Sequence, residues 1–331
     1  MTLWFRKQMT NEHLNSDQIQ RAATTLRQGG LVAFPTETVY GLGADAFNPA
    51  AVAEVFALKG RPAGKPLMAH VADIQMARRV VSDWPELAQE LAEAFWPGPL
   101  TLVLPRDERL PGVVTGGGPT VGVRCPDHPL ALALIAAFGG PVAGTSANRS
   151  GQVSPTCAGH VRESFADRAM VIDGGTCEKG IESTVVRVVG RSLEVLRTGV
   201  VGLEALERFT SDVQFAGELA SASTSGGDSG PEVLRTPARL VDADQLESEY
   251  LALVQAGRAV AVLGLTVDLG RGHGRAMPGE ADAYARALYA ALHEVDALGV
   301  DVILIEKPTG AGPIWDAVRG RLAHAAWHDA G

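Results

Sequence analysis

The sequence predicts a two-domain α/β protein. Three observations carry that prediction. Short, wholly apolar runs recur, each ending in proline, glycine or hydroxyl residues. Between them lie segments with helical spacing of apolar residues and recognisable caps. Near residue 210 the alternation gives way to a serine- and glycine-rich stretch, then resumes as three strand–helix pairs, the pattern of a small parallel sheet. The length, 331 residues, fits about two domains.

The elements follow in order. A first helix is expected over Asp17–Gln28, capped by Ser16 and stopped by Gly29, with Ile19, Ala22, Ala23 and Leu26 inward. The run Gly30–Phe34 reads as a buried strand that Pro35 ends, having no N–H to donate. Asn48 caps a helix with Pro49 at its first position, Val52, Val55 and Phe56 inward and Gly60 at its end. Leu67–Val71 reads as a strand, and Leu87, Leu91 and Phe95 mark a helix opened by Asp83-Trp84-Pro85. Leu100–Leu104 and Thr120–Arg124 are strands, and Gly116-Gly117-Gly118 reads as a hairpin tip. Asp127 is the expected cap of an apolar helix, His128–Phe138. Further strands are expected at Pro141–Gly144, Met170–Ile172, Glu182–Val188 and Leu193–Arg197, with a short helix near Leu203.

From about Thr210 to Pro231 the composition changes, and Ser221–Gly230 within it buries too little apolar area to order itself and reads as a linker or lid. Strands at Ala238–Val241, Ala259–Leu263 and Val302–Glu306 then alternate with helices near Asp244–Gln255, Ala281–Ala297 and Ile314–Trp327. The domain division is therefore 1–208, a linker over 209–234, and 235–331. Gly270-Arg271-Gly272-His273-Gly274 reads as a flexible loop, since no helix pattern starts after it. His324 and His328 read as a solvated tail and not a metal pair.

Composition removes several function classes. Hydrophobic residues are 46% and charged residues 20%, so both halves can form a core. A net charge of -9 opposes non-specific nucleic-acid binding, which requires Lys and Arg to neutralise phosphates. Aromatics at 5% offer little base stacking. Cys125, Cys157 and Cys177 are odd in number with no CxxC pair, which opposes zinc and a disulfide framework and fits a reducing cytoplasm. No run is long and apolar enough to span a bilayer, and the first residues lack the apolar core of a signal peptide, so no membrane association is expected.

Polar clusters follow the buried strands. Thr36-Glu37-Thr38-Val39-Tyr40-Gly41 follows the first, and Ser146-Ala147-Asn148 with Ser154-Pro155-Thr156 follows a later one. Two such clusters suggest convergence on one crevice. Lys59, Arg61 and Lys65 gather on a helix end and a stiff loop; they can complement the helix dipole or clamp a polyphosphate. Arg124, at a strand end with small neighbours, can receive a carboxylate in a fork.

Taken together, these stretches resemble the YrdC-like family of L-threonylcarbamoyladenylate synthases. The match runs through Pro35–Leu42, Lys59-Gly60-Arg61-Pro62 with Lys65-Pro66-Leu67 and His70, Trp96–Thr101, Thr120–Arg124, Ser146–Gly151, Ser154–Thr156, Glu182–Val185 and Arg197 with Gly199. Tyr284–Leu292 with Asp296 resembles the extra C-terminal domain of the long form. Long forms carry a His-Tyr-Ala-Pro segment in the linker; here Leu234-Arg235-Thr236-Pro237-Ala238 stands in its place, with Arg235 the candidate substitute.

The resemblance implies an N-terminal YrdC-like twisted open mixed sheet with flanking helices and a Rossmann-like C-terminal domain. It implies synthesis of threonylcarbamoyl-AMP and pyrophosphate from L-threonine, bicarbonate (or CO2) and ATP, for the t6A modification of tRNA at position 37. By residue match, Arg61, Lys65, Thr120, Asn148, Thr156 and Arg197 hold ATP. Thr38, His70, Arg124, Ser146 and Ser183 hold threonine. Lys59 and Arg61 are the catalytic cations, acting by charge neutralisation. Mg2+ accompanies ATP, with no protein cage for it, and the product passes to the tRNA threonylcarbamoyl transferase machinery. Two other readings are an RNA-binding or ribosome-assembly module on the same fold, and a carbamoyl-adenylate enzyme using carbamoyl phosphate. The acidic charge opposes the first, and the domains that accompany the second chemistry are not recognised here.

Overall fold

The structure is a computed structural model and describes residues 16–216, 234–265 and 273–326. In the N-terminal half the strands are β1 Val32–Phe34, β2 Gly41–Asp45, β3 Met68–His70, β4 Leu100–Pro105, β5 Thr120–Arg124, β6 Val142–Ser146, β7 Met170–Val171, β8 Thr184–Val189, β9 Ser192–Arg197 and β10 Val213–Phe215. The helices are α1 (16–27), α2 Pro49–Lys59, α3 Ile74–Ala77, α4 Glu86–Phe95, α5 Pro129–Phe138, α6 Ala158–Phe165 and α7 Leu203–Glu207. The strands form one open mixed sheet in the order β10-β9-β8-β4-β5-β3-β6-β2-β1-β7.

Side-chain alternation divides this sheet into two unlike faces. On one face Leu42, Ala69, Leu102, Val123 and Ala143 stand in register and pack under α2 and α4, through Val52, Val55, Leu87 and Leu91. On the other face Val32, Phe34 and Val142 are covered by α1 and α5. That cover shields only the β1–β6 part of the second face. The same register puts His70 beside Arg124 on β3 and β5, outside that part, and Gly41 beside Ser146 where β2 begins and β6 ends. Glycines on this face let Phe34 and His70 lie against the sheet. A Cβ on Gly41 would stand 3.0 Å from Phe34, and one on Gly144 would stand 3.2 Å from His70 Nδ1.

The C-terminal strands β11 Ala238–Val241, β12 Val260–Gly264, β13 His273–Ala276 and β14 Val302–Glu306 form a parallel sheet in the order β11-β14-β12-β13. Helix α8 (Ala243–Gln255) packs on one face through Leu246 against Val260, Val262 and Leu304. Helices α9 (Ala281–Asp296) and α10 (Pro313–Ala325) pack on the other, against Ala261, Leu263, Ile303 and Ile305. This second core continues across the domain boundary to Val39, Val153 and Ile181. The two domains therefore share buried apolar surface.

Several local expectations change. The cap of α5 is His128, whose Nδ1 accepts from the Leu130 N–H, and not Asp127. The glycines at 116–118 do not form a free hairpin tip. A Cβ on Gly116, at φ +59, would stand 2.4 Å from the Gly64 carbonyl oxygen, so this loop packs on the Arg61–Lys65 loop. The supposed loop near His273 supplies strand β13, because β12 offers an unpaired parallel edge there; Gly270, Arg271 and Gly272 lie outside the described residues. Val213–Phe215, inside the expected linker, pairs with β9, while Ser221–Gly230 lies outside the described residues. His324 is exposed, and His328 is outside the described residues. Among the described residues no helix is long and apolar enough to cross a membrane.

Candidate active site

The turn after β1 forms one wall. Thr36 Oγ1 donates to the Val39 carbonyl at 2.6 Å and accepts from the Val39 N–H at 3.2 Å. Because that proton is committed, the Thr38 hydroxyl donates to Thr36 Oγ1, 2.9 Å away, and accepts from Arg124 Nη2 at 2.9 Å. A hydroxyl has two lone pairs, so Thr38 keeps one for a substrate donor. Arg124 Nη2 also lies 2.7 Å from Glu37 Oε1, and its Nε donates to the Gly98 carbonyl at 3.2 Å. Both charged side chains are almost wholly buried, at 4% and 3% exposure. The Nη1 edge of Arg124 makes no hydrogen bond among the described residues and can still receive a carboxylate.

His70 follows from the register of β3 against β5, which pairs it with Arg124. Burial first, and the Arg124 charge second, push its pKa down to about 3, so the imidazole is neutral. Its Nδ1 is buried with no hydrogen-bond partner, as are Glu37 Oε2, the oxygen turned from Arg124, and Thr156 Oγ1. Unpartnered buried polar atoms are uncommon and costly, and those of Glu37 and His70, both beside Arg124, mark a place where a ligand or water completes the bonding.

A second wall is built from β4, β8 and β9. Ser183 Oγ lies 2.8 Å from Thr101 Oγ1. Arg197 donates to the Ser183 carbonyl through Nε and Nη2, at 3.1 and 3.0 Å, and through Nη2 to Ser183 Oγ at 3.1 Å. Burial lowers the Arg197 pKa to about 10, with the Arg124 charge among the lesser causes. The side chain stays cationic at neutral pH. The site thus holds two arginines near enough to feel one another, which favours a polyanionic occupant.

The third cluster departs from the sequence expectation in how it uses its charges. Lys59, buried at the end of α2, donates from Nζ to the carbonyls of Ser146 and Asn148 at 2.5 and 2.6 Å, and lies 3.3 Å from Asn148 Oδ1. Its ammonium therefore pins the 146–148 loop. Arg61 Nη2 donates to the Pro66 carbonyl at 2.9 Å and Nε to that of Lys65 at 3.4 Å, bracing its own loop. Ser146 and Lys65 are half-buried, and Thr120, also half-buried, begins β5 on the same face as Arg124. Asn148 donates to the Gln152 carbonyl. Arg235, the candidate lid residue, pairs instead with Asp296 of α9 at 2.9 Å.

Sequence reasoning left Glu37 without a role and passed over Thr36, Thr101 and Glu182. All four lie inside the stretches that carried the resemblance, and their neighbours' assignments were the available signal. Arg321, which reaches Glu182 from α10 at 2.9 Å, had no such signal.

Residues 24–199 match the family model Sua5/YciO/YrdC, described as "Telomere recombination". The chain belongs to the Sua5/YciO/YrdC family. Residues 233–327 match a second model, "Threonylcarbamoyl-AMP synthase, C-terminal domain". Among Sua5/YciO/YrdC relatives, the threonylcarbamoyl-AMP synthase of Pyrococcus abyssi is 38% identical over 327 residues, covering 95% of this chain and 96% of that one. The Bacillus subtilis enzyme of the same name is 37% identical, covering 98% and 97%. The crystal structure of P. abyssi Sua5 complexed with L-threonine superposes with a TM-score of 0.84 at 37% identity, covering 93% of this chain and 94% of that one. That structure shares the two-domain mixed and parallel α/β architecture described above.

Proposed function

We propose that this chain is a threonylcarbamoyl-AMP synthase acting in the cytoplasm on L-threonine, bicarbonate or CO2, and ATP. The threonine amine adds to CO2 and loses a proton, giving a carbamate. A carbamate oxygen attacks the α-phosphorus of ATP, the bond to the β-phosphate oxygen breaks, and pyrophosphate leaves. The threonylcarbamoyl-AMP formed is then consumed by the tRNA threonylcarbamoyl transferase machinery for t6A at position 37. No covalent enzyme intermediate is required, so the protein's contribution is positioning and charge neutralisation.

The observation that carries this reading is the buried Arg124, fixed by Glu37, Thr38 and Gly98 with one guanidinium edge open, beside a neutral His70 with an unpartnered Nδ1. A single α-carboxylate with a neighbouring amine or hydroxyl suits that pair. In this reading Thr38, His70, Arg124, Ser146 and Ser183 hold threonine, while Arg61, Lys65, Thr120, Asn148, Thr156 and Arg197 hold ATP. Lys59 contributes charge and keeps Ser146 and Asn148 in place. Mg2+ comes with the nucleotide. In this reading the phosphates and water supply most of its ligands, as is usual for Mg2+ bound with a nucleotide.

Pyrophosphate release from ATP, with threonine and bicarbonate omitted in turn, tests the reading. Release should need both. Release that persists at full rate without threonine overturns it.

A further inference from the structure

Glu182 immediately precedes Ser183 and lies at the domain boundary. Its carboxylate accepts from Ser154 Oγ at 2.8 Å, from the Tyr289 hydroxyl at 2.9 and 3.0 Å, and from Arg321 Nε at 2.9 Å. Tyr289 belongs to α9 and Arg321 to α10, both in the C-terminal domain. Arg321 Nη1 also donates to the Thr198 carbonyl at 2.9 Å, one residue past Arg197. The C-terminal domain thus grips the chain just before Ser183 and just after Arg197. Between those two grips Arg197 is tied to Ser183 by three hydrogen bonds. The backbone there has no slack: a Cβ on Gly199 would stand 2.5 Å from the Glu182 carbonyl oxygen and from Thr184 N. Burial would raise the Glu182 pKa, but the Arg321 and Arg197 charges hold it at about 2, so the clasp is ionised at working pH.

We infer that Glu182 is a positioning residue through which Tyr289 and Arg321 of the C-terminal domain set the placement of Ser183 and Arg197 in the active site. The C-terminal domain is then a structural part of the substrate pocket, and its loss acts on substrate affinity. The inference rests on the reading that Arg197 serves ATP and Ser183 serves threonine.

The test uses the full chain with Tyr289→Phe, Glu182→Gln, their double variant, and Arg321→Met. Steady-state pyrophosphate release is measured against ATP and threonine separately, with thermal melting alongside. Tyr289→Phe removes one oxygen and keeps the ring, so it remains informative where Arg321→Met fails to fold. The expected result is a rise of about tenfold in KM for ATP or threonine with kcat within about twofold, the loss of roughly one charge-assisted hydrogen bond. The double variant should match Glu182→Gln alone, because Tyr289 acts through that carboxylate. Additive effects, or a lowered kcat at wild-type KM, overturn the clasp. Wild-type turnover that does not depend on threonine overturns the functional reading instead, so the two failures are told apart.

Discussion

Replacing Arg124 separates the substrate-binding role proposed for this side chain from its structural one. The guanidinium lies 2.7 Å from Glu37 with both groups almost wholly buried. Removing it costs the threonine carboxylate its charge-assisted hydrogen bonding to Nη1, about 3 kcal/mol, or roughly 100-fold in affinity. It also leaves Glu37 as an unpaired buried carboxylate. Breaking one side of a buried ion pair destabilises by about 3–5 kcal/mol. Arg124→Ala should therefore weaken threonine binding about 100-fold and lower Tm, and Arg124→Lys, which keeps a cation beside Glu37, should cost about tenfold in binding with a smaller drop in Tm. Glu37→Gln inverts the arrangement, leaving Arg124 without its counter-ion until a substrate carboxylate arrives. Saturating threonine should then raise the Tm of Glu37→Gln by more than it raises that of the wild type. Threonine titration by calorimetry and melting with and without threonine are the assays. Threonine affinity of a folded Arg124→Lys within twofold of wild type, together with no added thermal rescue of Glu37→Gln, would refute the reasoning.

Lys59→Met removes an ammonium that ties two carbonyls of the 146–148 loop; a stability loss of about 2–3 kcal/mol is expected, measured by urea unfolding, alongside a raised KM for ATP. Gly43→Ala places a Cβ 2.4 Å from Val142 Cγ1 and 3.0 Å from Phe34, so overpacking should cost about 1–3 kcal/mol in the same assay. His160 and His293 stack across the domain boundary with ring centroids 3.9 Å apart. Burial, chiefly, lowers the His160 pKa to about 4 and that of His70 to about 3, and lowers His293 too. The unfolded chain protonates its imidazoles near pH 6.5, so between 6.5 and 4 it binds more protons than the folded chain, and stability falls as pH falls. Tm should be level between about pH 7 and 8 and decline below 6.5, less steeply in His160→Asn; equal slopes in the two proteins would count against the stack as a contributor.

Much of this protein was legible in its sequence because the deciding forces are local. Asn48, Pro49 and Gly60 bound α2 where the caps predicted, since a side chain bonding its own next N–H groups needs no distant partner. Apolar runs located the strands because a strand buried on both faces must be apolar throughout. The same locality explains the misses. His128 displaced Asp127 as a cap, and β13 formed in a glycine-rich segment, because a neighbouring helix N–H and a neighbouring strand edge were the competitors there.

Residue type and order alone determined which residues bear charge and hydroxyls, and where strands yield to turns. They also marked Arg124 as a candidate carboxylate receiver. Pairing was decided by the tertiary structure alone. The register of β3 on β5 set His70 beside Arg124, and chain reversal brought Glu37 to the same guanidinium. Docking of α9 and α10 brought Tyr289 and Arg321 onto Glu182, 107 and 139 residues away in the chain. Such contacts depend on distances between elements, which chain spacing does not encode, and on burial, which converts an ordinary ion pair into a fixed part of the site.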